Sequence, residues 1–304
     1  MKNVILTGGS GLLALNWAFV KKKDTQITLL LHQRKVSIEG VNSKFIDLSS
    51  EITVLEFLSK VQNCVVIHCA AITDVNYCEK NPEDAYETNS LIAGNLAKIC
   101  SKLAIKFVHI SSDHLFSGLK PFSSEELPLC PQNVYGSSKA DAEKRVLQFN
   151  PDSLVIRTNF FCWGPTYRAS FSDFLINSIR EKKKISLYTD IFYTPIYATH
   201  LVELVHKLVS SNLSGIFNVV GSERLSKYEF GKMVFSIFSG NMKLIKKTKY
   251  QDQANSIKRP LDMSLSNKKL IDSLNVKIVD LENQVLQLKA DENDFKKASN
   301  YLQV

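Results

Sequence analysis

The chain of 304 residues is 44% hydrophobic and 22% charged, enough to bury a large core as one large domain or a main domain with a smaller one. No apolar run approaches the roughly 18 residues of a membrane span, and Met1-Lys2-Asn3 leads directly into an apolar Val4-Ile5-Leu6, so a cytoplasmic protein without membrane partners is expected. The formal charge of +8 comes partly from Lys21-Lys22-Lys23, Lys182-Lys183-Lys184 and Lys246-Lys247-Thr248-Lys249; with no recognition module beside them, these runs read as solvated rather than nucleic-acid binding, and they favour an anionic small substrate.

Short β-branched runs alternate with helical periodicities in the first half. Strands are expected at Val4-Leu6, Ile27-Leu31, Lys44-Ile46, Cys64-His68, Phe107-Ile110 and Leu154-Ile156, with helices near 11–21, 51–61, 82–103 and 134–149. This alternation implies an α/β fold with a Rossmann-type, doubly wound parallel sheet, in which ligands lie at the carboxyl ends of the strands. After Arg157 the pattern loosens into the turn Phe160 to Pro165, a helix near 171–182, an extended stretch to Tyr197, a helix near 199–210 and a strand Ile216-Val220. The expected division is a dinucleotide-binding domain over 1–160, completed by about 198–221, a smaller discontinuous substrate lobe from 161–197 and 222–275, and a tail over 276–304 that docks or frays. The six cysteines show no paired C-x-x-C spacing, so reduced, mostly buried thiols and no metal site are expected.

Thr7-Gly8-Gly9-Ser10-Gly11-Leu12-Leu13-Ala14 follows the first strand and opens the first helix. Gly8 and Gly11 allow a tight turn and close backbone approach to a pyrophosphate, and small Ala14 lets the helix pack near the strand. The second strand runs into His32-Gln33-Arg34-Lys35, with no carboxylate before Glu39. An acid there would hold the ribose of NAD, whereas Arg34 or Lys35 attracts a 2′-phosphate, so NADPH is expected over NADH.

Asn133-Val134-Tyr135-Gly136-Ser137-Ser138-Lys139 sets a phenol and an ammonium four residues apart on one face of an expected helix. One strand earlier, Ser111-Ser112-Asp113-His114 emerges at the carboxyl edge of the sheet. This set resembles the Ser/Thr-Tyr-Lys site of extended short-chain dehydrogenases. Further stretches narrow the likeness: His68-Cys69-Ala70-Ala71-Ile72-Thr73-Asp74-Val75, Asn89, Arg157-Thr158-Asn159, Thr194-Pro195-Ile196-Tyr197, and Arg259-Pro260 with Ser264, Leu265 and Lys269. Over roughly residues 1 to 275 the chain resembles the dTDP-4-dehydrorhamnose reductase family of nucleotide-sugar reductases.

The resemblance implies Tyr135 as the acid that protonates a sugar keto oxygen, Lys139 as the cation that lowers the phenol pKa and holds the cofactor ribose, and Ser112 as a donor to the carbonyl oxygen. It also implies Gly8, Ser10, Gly11, Leu12 and Leu13 around the pyrophosphate, Asp47 and Leu48 at the adenine, and Ala70, Ala71 and Thr73 flanking the cofactor. Departures fall on the substrate side: His114 stands where the family usually has tyrosine, and Phe160 where it usually has tryptophan, with Trp163 three residues later. Trp163 and Tyr167 are candidates for stacking on a base or sugar, Arg168 and Arg259 for holding a diphosphate, and Asn159 and His114 for touching the sugar. The implied function is NADPH-dependent reduction of a nucleotide-activated 4-keto-6-deoxysugar for cell-surface polysaccharide synthesis, with a nucleotide-sugar as partner and a homodimer as the assembly. The alternatives are an epimerase or dehydratase of the same superfamily, and a non-catalytic NADP-binding subunit like the β subunit of methionine adenosyltransferase.

Overall fold

The computed structural model describes residues 2–251 and 257–300, with side chains described up to 297. In chain order the first half comprises β1 (Asn3–Thr7), α1 (Leu12–Lys21), β2 (Gln26–Leu31), β3 (Asn42–Phe45), α2 (Glu51–Leu58), β4 (Cys64–His68), α3 (Val75–Lys80), α4 (Pro82–Tyr86), a π-helical turn (Glu87–Leu91), α5 (Ile92–Lys102), β5 (Lys106–Ile110) and α6 (Val134–Phe149). There follow β6 (Leu154–Arg157), β7 (Phe160–Phe161), α7 (Phe171–Arg180), β8 (Ile185–Tyr188), β9 (Phe192–Tyr193), β10 (Ile196–Tyr197), α8 (Ala198–Ser210), β11 (Gly215–Asn218), β12 (Leu225–Ser226), α9 (Lys227–Ile237), β13 (Ile245–Thr248), α10 (Lys268–Leu274), α11 (Leu281–Ala290) and α12 (Glu292–Asn300).

Seven strands form one parallel sheet in the order β11-β6-β5-β4-β1-β2-β3. Both faces are covered, so the central strands are apolar throughout and their alternate residues serve different layers. Leu6, Leu29, Ile67 and Val108 pack with Trp17 of α1 and Leu201 and Val205 of α8, whereas Ile5, Leu30, Val66 and Phe107 meet Val54 of α2, Leu96 of α5 and Val146 of α6. Each such side chain contributes about 1.5–3 kcal/mol on burial. The order in which successive strands are added reverses between β1 and β4, which places the crevice of the sheet beyond Thr7 and His68.

The expected helix over 82–103 is broken by the π-helical turn. Asn89 within it accepts from the Ile72 N–H (2.7 Å) and donates to the Ile72 carbonyl and Ser138 Oγ (both 3.0 Å), tying the loop after β4 to α6. The smaller lobe has its own core around Leu175, Leu187, Tyr193, Phe230 and Phe235. The end of the chain belongs to that core: α11 buries Leu281, Val285 and Leu288 in it, so the part of the expected tail from Leu281 to Ala290 is integral structure, while residues 301–304 lie outside the described residues. Of the cysteines, Cys130 is exposed and Cys69 partly so, and no disulfide links the six. No described helix is long and apolar enough to cross a membrane.

Candidate active site

The turn after β1 begins at Gly8, whose φ of +63° suits glycine and whose missing Cβ would sit 2.8 Å from the backbone of Ala70. The Gly11 N–H closes the turn on the Gly8 carbonyl (2.8 Å), and α1 then starts with no side-chain cap and no acid in its first turn. Its leading amides are therefore left to an anion. Tyr167, from the lobe side, donates to the Ser10 carbonyl (2.9 Å) and packs under the Arg34 guanidinium at 4.0 Å.

Helix α6 supplies the phenol and the ammonium. Asn133 caps it by accepting from the Gly136 N–H (2.8 Å), and Gly136 is required because a Cβ would sit 2.3 Å from the His114 carbonyl. Tyr135 and Lys139 are buried on the same face, one turn apart. Burial pushes the Tyr135 phenol up to about 12, and the neighbouring Ser112 hydroxyl draws it only part of the way back. Burial also pulls Lys139 down to about 8, against the opposing pull of Glu143 and Cys69. The expected depression of the phenol by Lys139 is not what these side chains produce among themselves. The ammonium instead donates to the Ile110 carbonyl (2.8 Å) and contacts His109 Nε2 (3.2 Å), so desolvation decides the phenol pKa.

A cleft of about 330 Å³, within the range of ligand pockets, brings the loop and the helix together. Gly11, Leu12 and Leu13 line it with Ala71 and Thr73, Ser112 and His114, Tyr135 and Lys139, and Asn159, Phe160, Arg168 and Arg259. Arg168 reaches across its mouth to Thr73 Oγ1 (2.9 Å). Asn159 donates to the Asp113 carboxylate, and the Ser112 hydroxyl accepts the His114 N–H (3.2 Å). The His114 ring meets Tyr135 edge-on at 5.4 Å; burial, with Arg259 and Lys227 nearby, keeps it below the usual histidine range despite Asp113.

Other expected residues lie elsewhere. Trp163 is buried in the lobe core and donates through Nε1 to the Leu288 carbonyl (2.7 Å), so it cannot stack on a ligand; the helix that covers it had no strong sequence signal. Arg34 and Lys35 are exposed beyond β2. Asp47, also exposed, accepts from the Ser49 N–H (2.9 Å) and hydroxyl (2.7 Å) in a turn before α2, and Leu48 is partly buried beside it.

Sequence reasoning missed Lys227, which with Phe171, Tyr188 and Met263 lines a second compartment meeting the first at His114, Asn159 and Arg259. The only sequence signal was its place after Ser226, which forms a capping box with Glu229. It also missed the buried pair of Arg157 and Glu143 (2.7 Å), which receives the Ser111 hydroxyl (2.6 Å) and braces the strand end that carries Ser112. Among the described residues no cluster of His, Cys, Asp or Glu is arranged to hold a metal.

The chain is 29% identical over 255 residues to a probable low-salt glycan biosynthesis reductase, Agl14, of Haloferax volcanii, covering 82% of this chain and 85% of the relative. It is 28% identical over 271 residues to the spore coat polysaccharide biosynthesis protein SpsK of Bacillus subtilis (88% and 90% covered). It is 27% identical over 249 residues to methionine adenosyltransferase 2 subunit beta of Pongo abelii (78% and 72%). In fold it matches the crystal structure of dTDP-4-dehydrorhamnose reductase from Bacillus anthracis in complex with NADP, with a TM-score of 0.85 at 24% identity over 96% of this chain and 100% of that one. A family model described as RmlD substrate binding domain matches residues 1–292, and the chain belongs to that family.

Proposed function

We propose that this protein is an NADPH-dependent reductase of a nucleotide-activated 4-keto-6-deoxysugar, serving the synthesis of cell-surface polysaccharide precursors. The observation that carries the reading is that Ser112, Tyr135 and Lys139 line one cleft with the glycine turn at the carboxyl edge of a parallel sheet. The glycan and polysaccharide relatives support the same direction.

The cradle fits a dinucleotide: a Cβ at Gly8 would strike the Ala70 backbone and one at Gly11 would crowd the Gly8 carbonyl, so the glycines let this tight turn form, and the uncapped start of α1 offers amides to a pyrophosphate. Ser10, Leu12 and Leu13 complete that turn, Arg34 and Lys35 receive the 2′-phosphate, Asp47 and Leu48 meet the adenine, and Ala70, Ala71 and Thr73 flank the cofactor. Bound NADPH supplies the hydride. Tyr135 then gives its proton to the sugar keto oxygen; the raised phenol pKa keeps that proton in place at neutral pH. Lys139 brings the positive charge that favours the phenolate left behind, and Ser112 orients the keto oxygen. His114, neutral at pH 7, and Asn159 face the sugar, with Phe160, Arg168 and Arg259 around it.

Purified protein is expected to consume NADPH when given dTDP-4-keto-6-deoxymannose or a related keto sugar. Absence of turnover with every keto-sugar nucleotide defeats the reading. Recycling of bound cofactor without net consumption would mark an epimerase or dehydratase instead. Tight NADP binding without reduction, with co-purification of a larger enzyme, would mark a regulatory subunit.

A further inference from the structure

Thr7, His68 and His109 are register partners on the adjacent strands β1, β4 and β5, so their side chains form a row beneath α6. Thr7 Oγ1 accepts the N–H groups of Cys69 and Ala70 (3.2 Å each), which leaves its own hydrogen for His68 Nδ1 at 2.7 Å. His68 thereby carries its proton on Nε2. Its ring lies 5.5 Å from that of His109, nearly parallel at 26°, and both are fully buried. Lys139 ends on this row. A buried ammonium has only donors, and two of its three are engaged by the Ile110 carbonyl and His109 Nε2.

We propose that His109 is a positioning residue for Lys139: its Nε2 accepts one ammonium N–H, which fixes the ring as the Nδ1–H tautomer and leaves the third N–H for the cleft. The inference rests on the reductase reading for what that N–H serves, and on the geometry alone for the tautomer. The other groups around Lys139 leave His109 in this role. Glu143 on the same helix is occupied by Arg157 and Ser111, and Tyr135 on that helix lies in the cleft wall. Cys69 after β4 is held as a thiol, pushed up to about 12 by burial, and Asp113 is turned to Asn159. His68 and His109 are both kept neutral by burial and by the Lys139 charge, so the ammonium finds a neutral acceptor in His109 and, among the described residues, no carboxylate within ion-pair distance. The row also links Thr7, at the head of the glycine turn, to the lysine of the chemical site.

Nitrogen-15 NMR of the histidine rings in the wild-type protein, with His109 assigned by its disappearance in His109→Gln, reads the tautomer directly. An unprotonated Nε2 with a protonated Nδ1 is expected; the opposite tautomer or an imidazolium overturns the proposal. His109→Leu removes the acceptor and is expected to lower kcat about tenfold with little change in KM for the sugar nucleotide. Because the lost acceptor favoured the ammonium, the basic limb of the pH profile should move to lower pH. His109→Gln, which offers an amide oxygen near the same place, should restore both. An unmoved basic limb in His109→Leu, or equal defects in both variants, contradicts the role. If His109→Leu does not fold, the tautomer decides alone. A wild-type protein inactive on keto sugars defeats the reductase reading and leaves the tautomer result standing.

Discussion

Tyr135 and Lys139 share one buried wall, and desolvation moves their proton affinities in opposite directions. The phenol, raised to about 12, stays protonated through the neutral range. The ammonium, lowered to about 8, keeps its charge below that pH and loses it as pH rises through it. Activity is therefore expected to hold up to about pH 7 and to fall as pH rises through about 8, read from kcat/KM against pH; a profile flat to pH 10 contradicts the account. Stability follows from the same group. Its unfolded-state value is near the ordinary 10.5, so the penalty for burying the ammonium is present in full below about pH 8 and is relieved as pH rises toward 10.5. The melting temperature of wild type relative to Lys139→Met should therefore climb between pH 8 and 10. The tyrosine and lysine spacing, the serines and the glycine turn were legible in the sequence because local periodicity dictates them. The histidine row beneath them was not, since Thr7, His68 and His109 meet only through strand register.

At the scale of elements, α6 and α11 show what local pattern can and cannot announce. The sequence predicts a helix near 134–149, and it forms over Val134–Phe149 with Asn133 as its cap. Its third turn carries Glu143 to Arg157 on β6, with both side chains nearly free of solvent contact. Removing either partner strands a buried charge, so Glu143→Leu or Arg157→Leu should each cost about 3–5 kcal/mol in a denaturant titration, and the double variant less than the sum. By contrast α11 is charged and weakly amphipathic, and only tertiary packing reveals its role. Gln284 accepts the Tyr197 N–H (2.7 Å), the Leu288 carbonyl accepts from Trp163, and Leu288 is fully buried. Leu288→Ala is expected to cost about 2–5 kcal/mol. A loss below 0.5 kcal/mol would mean that the helix is peripheral to the lobe.

At the scale of the molecule, the parallel sheet and its crevice were readable because every βα repeat carries its own turn and periodicity. The segments of the lobe were legible in outline, but its strand pairings were not, because β7 with β10, β9 with β12 and β8 with β13 are two to four residues long and join segments far apart in the chain. Between sheet and lobe, Arg34 stands exposed against Tyr167 at the cofactor end. Arg34→Ala combined with Lys35→Ala should raise KM for NADPH about tenfold while leaving that for NADH unchanged. Equal effects on the two cofactors would remove these residues from 2′-phosphate recognition. The central claim is that the phenol of Tyr135 drives net reduction in this cleft. The direct measurement is NADPH consumption with a nucleotide-activated 4-keto-6-deoxysugar, wild type against Tyr135→Phe. Steady consumption by wild type, with a rate lower by roughly a hundredfold or more in the variant, is the predicted result. Consumption that survives Tyr135→Phe unchanged, or its absence in wild type, contradicts it.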